Sequence, residues 1–226
     1  MSTNNDSFPS VQQLRQGAIL GTIAHAIWLI QYPDFAHEQS WDGINYSVQD
    51  SQGTRGTITF SDNDVIGVFR DENSRRSPLT LDNGYDLSKY FAGIPPRLMK
   101  IAEQEALQYV LEEYQGSVIP IVTAAFWSND KFLAGADSWK DIYTHGAHVL
   151  RVQILDTETA IKEWQDNYEM SAPKVALMRS LFNQRLKNPK KELVLTGEEL
   201  IILKGKGSRG IEESRELFAG INIVVP

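Results

Sequence analysis

The stretch from Trp41 to Arg76 leaves the chain few folds to choose from. It holds three runs rich in β-branched and aromatic residues, Ile44 to Gln49, Thr54 to Phe60 and Val65 to Arg70, with the composition and period of strands. Between them stand Asp50-Ser51-Gln52-Gly53 and Ser61-Asp62-Asn63-Asp64, residues that bond their own backbone or tolerate positive φ. Connections this short join only antiparallel neighbours. The stretch therefore predicts a three-stranded meander over about residues 44–70.

The period of two then assigns faces. A hairpin closed symmetrically at Asp62-Asn63 sets Phe60 opposite Val65, Ile58 opposite Gly67 and Gly56 opposite Phe69, on one apolar face that should lie on the core. The other face pairs Thr59 with Ile66, Thr57 with Val68, and Arg55 with Arg70. Like charges directly opposed destabilise a sheet, so negative charge is expected beside them. Asp71 and Glu72 can supply it, giving an ion-pair cluster at a sheet end, which is what such charges usually form. An anionic ligand can supply it instead, making Arg55, Arg70, Asp71 and Glu72 a ligand-binding site for an anion or carboxylate. A slip of one residue would send the two arginines to opposite faces.

The remaining pattern predicts an α+β fold, a single domain over residues 1–226 in which the antiparallel sheet packs against several helices, with residues 1–8 as a disordered tail. Val11 to Gln31 reads as a helix that becomes apolar on all sides, a sign of burial. Gly17, Gly21, Ala24 and Trp28 form one stripe on it. Glycines inside a helix cost about 1 kcal/mol each, so another element, the meander being a candidate, should approach closely there. His25, beside the stripe, reads as a hydrogen-bonded core histidine. Residues 73–96, with Asp82-Asn83-Gly84 among their turn signals, read as a long wrapping loop.

Pro96 to Tyr114 reads as a half-exposed helix ended by Gly116. Ser117 to Trp127 reads as a buried strand, with Pro120 at an edge or bulge, followed by a turn at Ser128-Asn129-Asp130. Trp139 to Tyr143 reads as a short helix and Val149 to Leu155 as a strand. Helices follow from Asp156 or Thr157 to Tyr168 and from Pro173 to Leu186, then a strand at Leu193 to Leu195. Leu200 to Leu203 fits a helix behind a capping box at Thr196 or a strand. Ile211 to Phe218 reads as a helix and Ile221 to Val225 as a closing strand.

Function is less legible. The net charge of −7 argues against a general nucleic-acid binder, which needs a basic field to displace counterions. The chain has no cysteine, so disulfides, thiol nucleophiles and thiolate metal sites are out, and a reducing compartment suits it. The opening MSTNNDSFPS has no signal character, and the apolar run at 18–30 is too short to span a bilayer. These features predict a soluble, cytoplasmic protein with no nucleic-acid or membrane partner; its oligomeric state is left open.

Motifs of catalysis are thin. His145 and His148 lie near Asp137 and Asp141, but two strand residues three apart face opposite ways and no third ligand has a motif-like spacing. Glu103, Glu105, Glu112 and Glu113 lack the paired Glu-x-x-His pattern of di-iron bundles and read as a solvated face. The loop Lys204-Gly205-Lys206-Gly207-Ser208-Arg209-Gly210 lacks phosphate-loop spacing. No metal and no cofactor is called for. The pattern fits a non-catalytic binding or interaction protein of acidic character that recognises a basic protein partner, with five Trp and eight Tyr available as anchors. The alternative is a hydrolase-like enzyme on a small anionic ligand held by Arg55 and Arg70, with Asp71 or Glu72 as general base.

Overall fold

The computed structural model describes residues 7–78, 84–129, 132–204 and 207–226. The chain runs α1 (Val11–Leu29), β1 (Gln39–Asp42), β2 (Asn45–Gln49), β3 (Thr54–Ser61), β4 (Asp64–Asp71), α2 (Pro96–Gln104), β5 (Leu111–Tyr114), β6 (Ser117–Pro120), β7 (Ala124–Asn129), β8 (Phe132–Ala134) and α3 (Trp139–Thr144). It continues through α4 (Thr157–Asn167), α5 (Ala172–Lys187), β9 (Leu193–Val194), α6 (Gly197–Ile202), α7 (Ser208–Ala219) and β10 (Ile223–Val224). Short 3-10 turns cover Pro33–Glu38, Leu87–Phe91, Ala106–Val110 and Ala147–Leu150. The fold is α+β, with an antiparallel sheet packed on helices. Residues 1–6 of the expected tail, Asp82-Asn83, Asp130 and Gly205-Lys206 lie outside the described residues.

Contacts divide the chain into two compact units: Met1–Gln12 with Ile44–Arg151, and Gln13–Gly43 with Val152–Pro226. The first unit holds antiparallel strands in the order β2-β3-β4-β7-β8. The meander has the register that the period of two predicts. Phe60 pairs with Val65, Ile58 with Gly67, Gly56 with Phe69, and Arg55 with Arg70. Ser51 (φ 56) and Gly53 (φ 100) turn the first hairpin, and Asp62 (φ 51) the second.

Both faces of this sheet are buried. On one, the Phe69 and Phe126 rings lie 5.7 Å apart and Phe126 meets Trp139 of α3 at 6.0 Å. Phe8, expected in the tail, packs its ring 5.5 Å from Trp139. Two glycines make this face possible. A Cβ on Gly56 would sit 2.2 Å from the Phe69 ring, and one on Gly67 would sit 2.4 Å from the Phe126 ring. On the opposite face Ile66, Val68, Ala125 and Trp127 pack with Leu98 and Ala102 of α2 and with Ala106, Leu107 and Val110.

Three elements differ from expectation. The helix expected over 96–114 stops at Gln104, where Glu105 leaves helical geometry at φ −123 and ψ −88. A 3-10 turn then carries Ala106, Leu107 and Val110 into the core, a spacing that an α-helix would share, and β5 pairs with β6 around Gln115 (φ 52) and Gly116 (φ 80). The strand expected over 117–127 is two strands. Pro120 ends β6, after which the Ile121 N–H donates to the Val110 carbonyl at 2.8 Å and the Thr123 N–H to Phe69 at 2.8 Å. The strand expected over 149–155 is absent from that stretch, where a 3-10 turn buries Ala147 and Leu150 three residues apart, the repeat of that helix type.

The second unit is helical. Ile23, Ile27, Trp164, Leu177, Met178, Phe182 and Phe218 share its core, and β9 pairs in parallel with β10 through Leu193–Ile223 and Val194–Val224. Within this unit Gln153 and Trp164 meet the glycine stripe of α1: a Cβ on Gly17 would lie 1.7 Å from the Gln153 carbonyl oxygen, and one on Gly21 3.3 Å from the Trp164 ring. Residues 197–202 form a helix behind a complete capping box of Thr196 and Glu199. Among the described residues no helix is long and apolar enough to cross a membrane.

Candidate functional site

In the first unit Arg55 and Arg70 face each other across β3 and β4, and a carboxylate from distant sequence stands between them. Arg70 donates to Glu112 at 2.6 Å and Arg55 donates to the same oxygen at 3.3 Å. Glu72 accepts from Arg70 at 2.8 Å. Asp71 is not part of this group: alternation turns it to the other face, where its carboxylate accepts the Asn73 N–H at 2.9 Å. The structure thus gathers Arg55, Arg70 and Glu72, leaves Asp71 out and adds Glu112. Burial first, and then the charge of Arg70, pull Arg55 below its ordinary value. Its Nε is buried with no partner.

The histidine and aspartate residues weighed as metal ligands have other partners. His145 Nδ1 lies 2.7 Å from Ser74 Oγ, both residues buried, while Asp137 pairs with Arg76 at 2.8 Å. Asp141 is bonded to its helix cap Ser138, and His148 lies 3.8 Å from Asp50. Among the described residues no group of three or more His, Asp or Glu could hold a metal ion. A serine within reach of a histidine is the beginning of a nucleophilic pair. Here the hydroxyl oxygen also accepts the Arg76 N–H at 3.1 Å, so the contact ties down the turn at 74–77. Burial, and after it the nearby Arg76, hold His145 below the usual histidine range.

The second unit carries the most distinctive surface. Four rings stack in sequence. Tyr32 lies on Trp28 at 5.0 Å, Trp28 on Tyr168 at 4.5 Å and Tyr168 on Trp164 at 5.1 Å. Phe35 leans on Trp28 at 5.0 Å. The inner end is buried, but Tyr32 is 45% exposed and Phe35 39%. Trp28 lies in the last turn of α1 and Tyr32 three residues past its end, with its N–H on the Trp28 carbonyl at 3.3 Å, so their rings stack locally. Tyr168 and Trp164 come from α4 and its end, which the sequence does not mark as neighbours.

His25 fastens this ladder from below. Its Nε2 lies 3.1 Å from the Phe35 carbonyl, which can only accept, so Nε2 carries the proton. Nδ1, 2.9 Å from the Tyr168 hydroxyl, therefore accepts from it. Gln39 donates to the same hydroxyl oxygen over a longer 3.5 Å. Burial pushes His25 down to about 4, against the Phe35 carbonyl, which favours the proton, and with help from the charge of His37. His25 is thus a neutral, bonded core histidine that fixes the Tyr168 ring.

The segments that carry the ladder are unevenly charged. Residues 31–43 carry Asp34, Glu38 and Asp42 without a lysine or arginine, and residues 156–169 carry Asp156, Glu158, Glu163, Asp166 and Glu169 against Lys162 alone. Among them, Asp34 holds Arg209 at 2.6 Å and Glu158 holds Arg179 at 2.6 Å. No family model, curated protein or solved structure matches the chain.

Proposed function

We propose that this is a non-catalytic binding protein of the cytoplasm and that its second unit takes a basic protein partner on the aromatic ladder. The observation that carries the reading is the half-exposed outer end of a rigid ring stack, set in segments where carboxylates far outnumber cations. Stacked rings lose little side-chain freedom on binding and supply the aromatic anchors that dominate interface energetics. The carboxylates of those segments steer a cationic partner and favour its approach at low ionic strength.

The test is retention of the full chain on an array of cationic peptides, comparing the native sequence with a Tyr32→Ala, Phe35→Ala double variant. The native chain should bind in a salt-sensitive manner, and the variant should bind about tenfold more weakly, since an anchor contributes more than about 1 kcal/mol. If the native chain ignores every cationic peptide, or the variant binds as well, the reading fails.

One observation supports a second reading, a hydrolase-like enzyme on an anionic substrate held by Arg55 and Arg70: the buried Nε of Arg55 has no partner. Against it, Glu112 and Glu72 already give the two guanidinium groups two negative charges. If sulfate fails to raise the melting temperature of the native chain, or raises it equally in Arg55→Ala and Arg70→Ala, this second reading is lost.

A further inference from the structure

We infer that the group taken by the ladder is an arginine side chain, laid over the exposed part of Tyr32 with its guanidinium on Asp34, and that Arg209 holds that carboxylate until a partner displaces it. This rests on the ladder being the binding surface and adds what it binds and how the empty surface is kept. Tyr32 stacks on Trp28 and is 45% exposed, so part of it is accessible to a partner. Asp34 stands two residues further on, its side chain 80% exposed. A planar guanidinium can stack on the ring and hydrogen-bond the carboxylate together, whereas an ammonium group is a point charge that stacks poorly.

The molecule already places such a group there. Arg209 Nη1 donates to Asp34 Oδ1 at 2.6 Å. Its position is set by α7, whose Gly210 meets the end of α1 so closely that a Cβ would lie 2.4 Å from the Ile30 carbonyl oxygen. The pair is built to be exchanged. Arg209 is 61% exposed, and an exposed ion pair contributes little, about 0–1 kcal/mol. Its Nε also lies 3.6 Å from Glu213 on the next turn of the same helix, so a displaced Arg209 keeps a counter-ion. An incoming arginine gains the exposed part of the ring.

The experiment is fluorescence anisotropy of the full chain with labelled octa-arginine and octa-lysine, peptides of equal charge. Octa-arginine should bind more tightly, by about two- to fivefold from cation–π contact. Arg209→Ala should tighten octa-arginine binding by about two- to fivefold, as expected for release of an exposed pair. That gain should vanish in an Asp34→Asn background. A general effect of removing a positive charge would persist there, so persistence of the gain overturns the inference, as does equal binding of the two peptides or an Arg209→Ala variant that binds no better. If neither peptide binds, or the Tyr32→Ala, Phe35→Ala variant binds both normally, what fails is the underlying assignment of the surface.

Discussion

His25 is neutral first because burial disfavours its charged form, and its two ring nitrogens are committed in opposite senses, one donating to the Phe35 carbonyl and one accepting from the Tyr168 hydroxyl. A second proton would set Nδ1–H against a hydroxyl oriented to donate, in a site closed to water. The folded value of about 4 lies below the ordinary 6.5, so the unfolded chain takes up the proton first. The stabilisation from neutral His25 is complete above about pH 6.5 and is lost as pH falls towards 4, a change of about 3 kcal/mol over that window. In His25→Gln, which has no proton to gain, urea midpoints should fall less between pH 7 and pH 4 than in the native chain. An unaltered acid slope in that variant would remove His25 from the account. Its role as a bonded core histidine is legible in the sequence from its place in an all-round apolar helix. Tyr168, its partner 143 residues away, is not, because nothing local marks that pairing.

At the scale of elements, the meander is legible because a period of two and two short turns leave one register, and that register sets Arg55 against Arg70. Their shared partner Glu112 is hidden for a physical reason: Ala106, Leu107 and Val110 are buried at a spacing common to an α-helix and to the turn that occurs. The segment therefore reads as helix, and Glu112 as part of its solvated face, when it stands on a strand. The aromatic ladder is half legible in the same way, since Trp28 and Tyr32 are a turn apart but the rings below them arrive from α4. Glycine opposite a large ring is the device that closes the sheet, as Gly67 does beneath Phe126. Gly67→Ala should therefore destabilise, by about 1–3 kcal/mol as in other overpacked cores. A Gly67→Ala, Phe126→Leu double variant, in which the added methyl meets no ring, should cost less than the sum of the two single changes. Strict additivity in a thermal melt would show that the ring and the glycine do not answer each other.

Across the whole molecule, each compact unit is built from two stretches of chain: Met1–Gln12 with Ile44–Arg151 form one, and Gln13–Gly43 with Val152–Pro226 the other. No linker of distinctive composition falls near residue 12, 43 or 152, and a division that the chain crosses three times need not have one. Each unit has its own buried cluster, one around Ile66, Val68 and Trp127 and the other around Ile27, Met178 and Phe218. Separate cores predict separate cooperative transitions. Two close-packed glycines supply a probe for each. Gly17→Ala strikes the Gln153 backbone in the second unit and Gly67→Ala strikes Phe126 in the first. Each should lower one calorimetric transition, by about 4 °C or more per kcal/mol lost, and leave the other in place. Should both variants shift one and the same transition, the chain melts as one cooperative body, and the ladder and the arginine pair must then be treated as parts of a single stability.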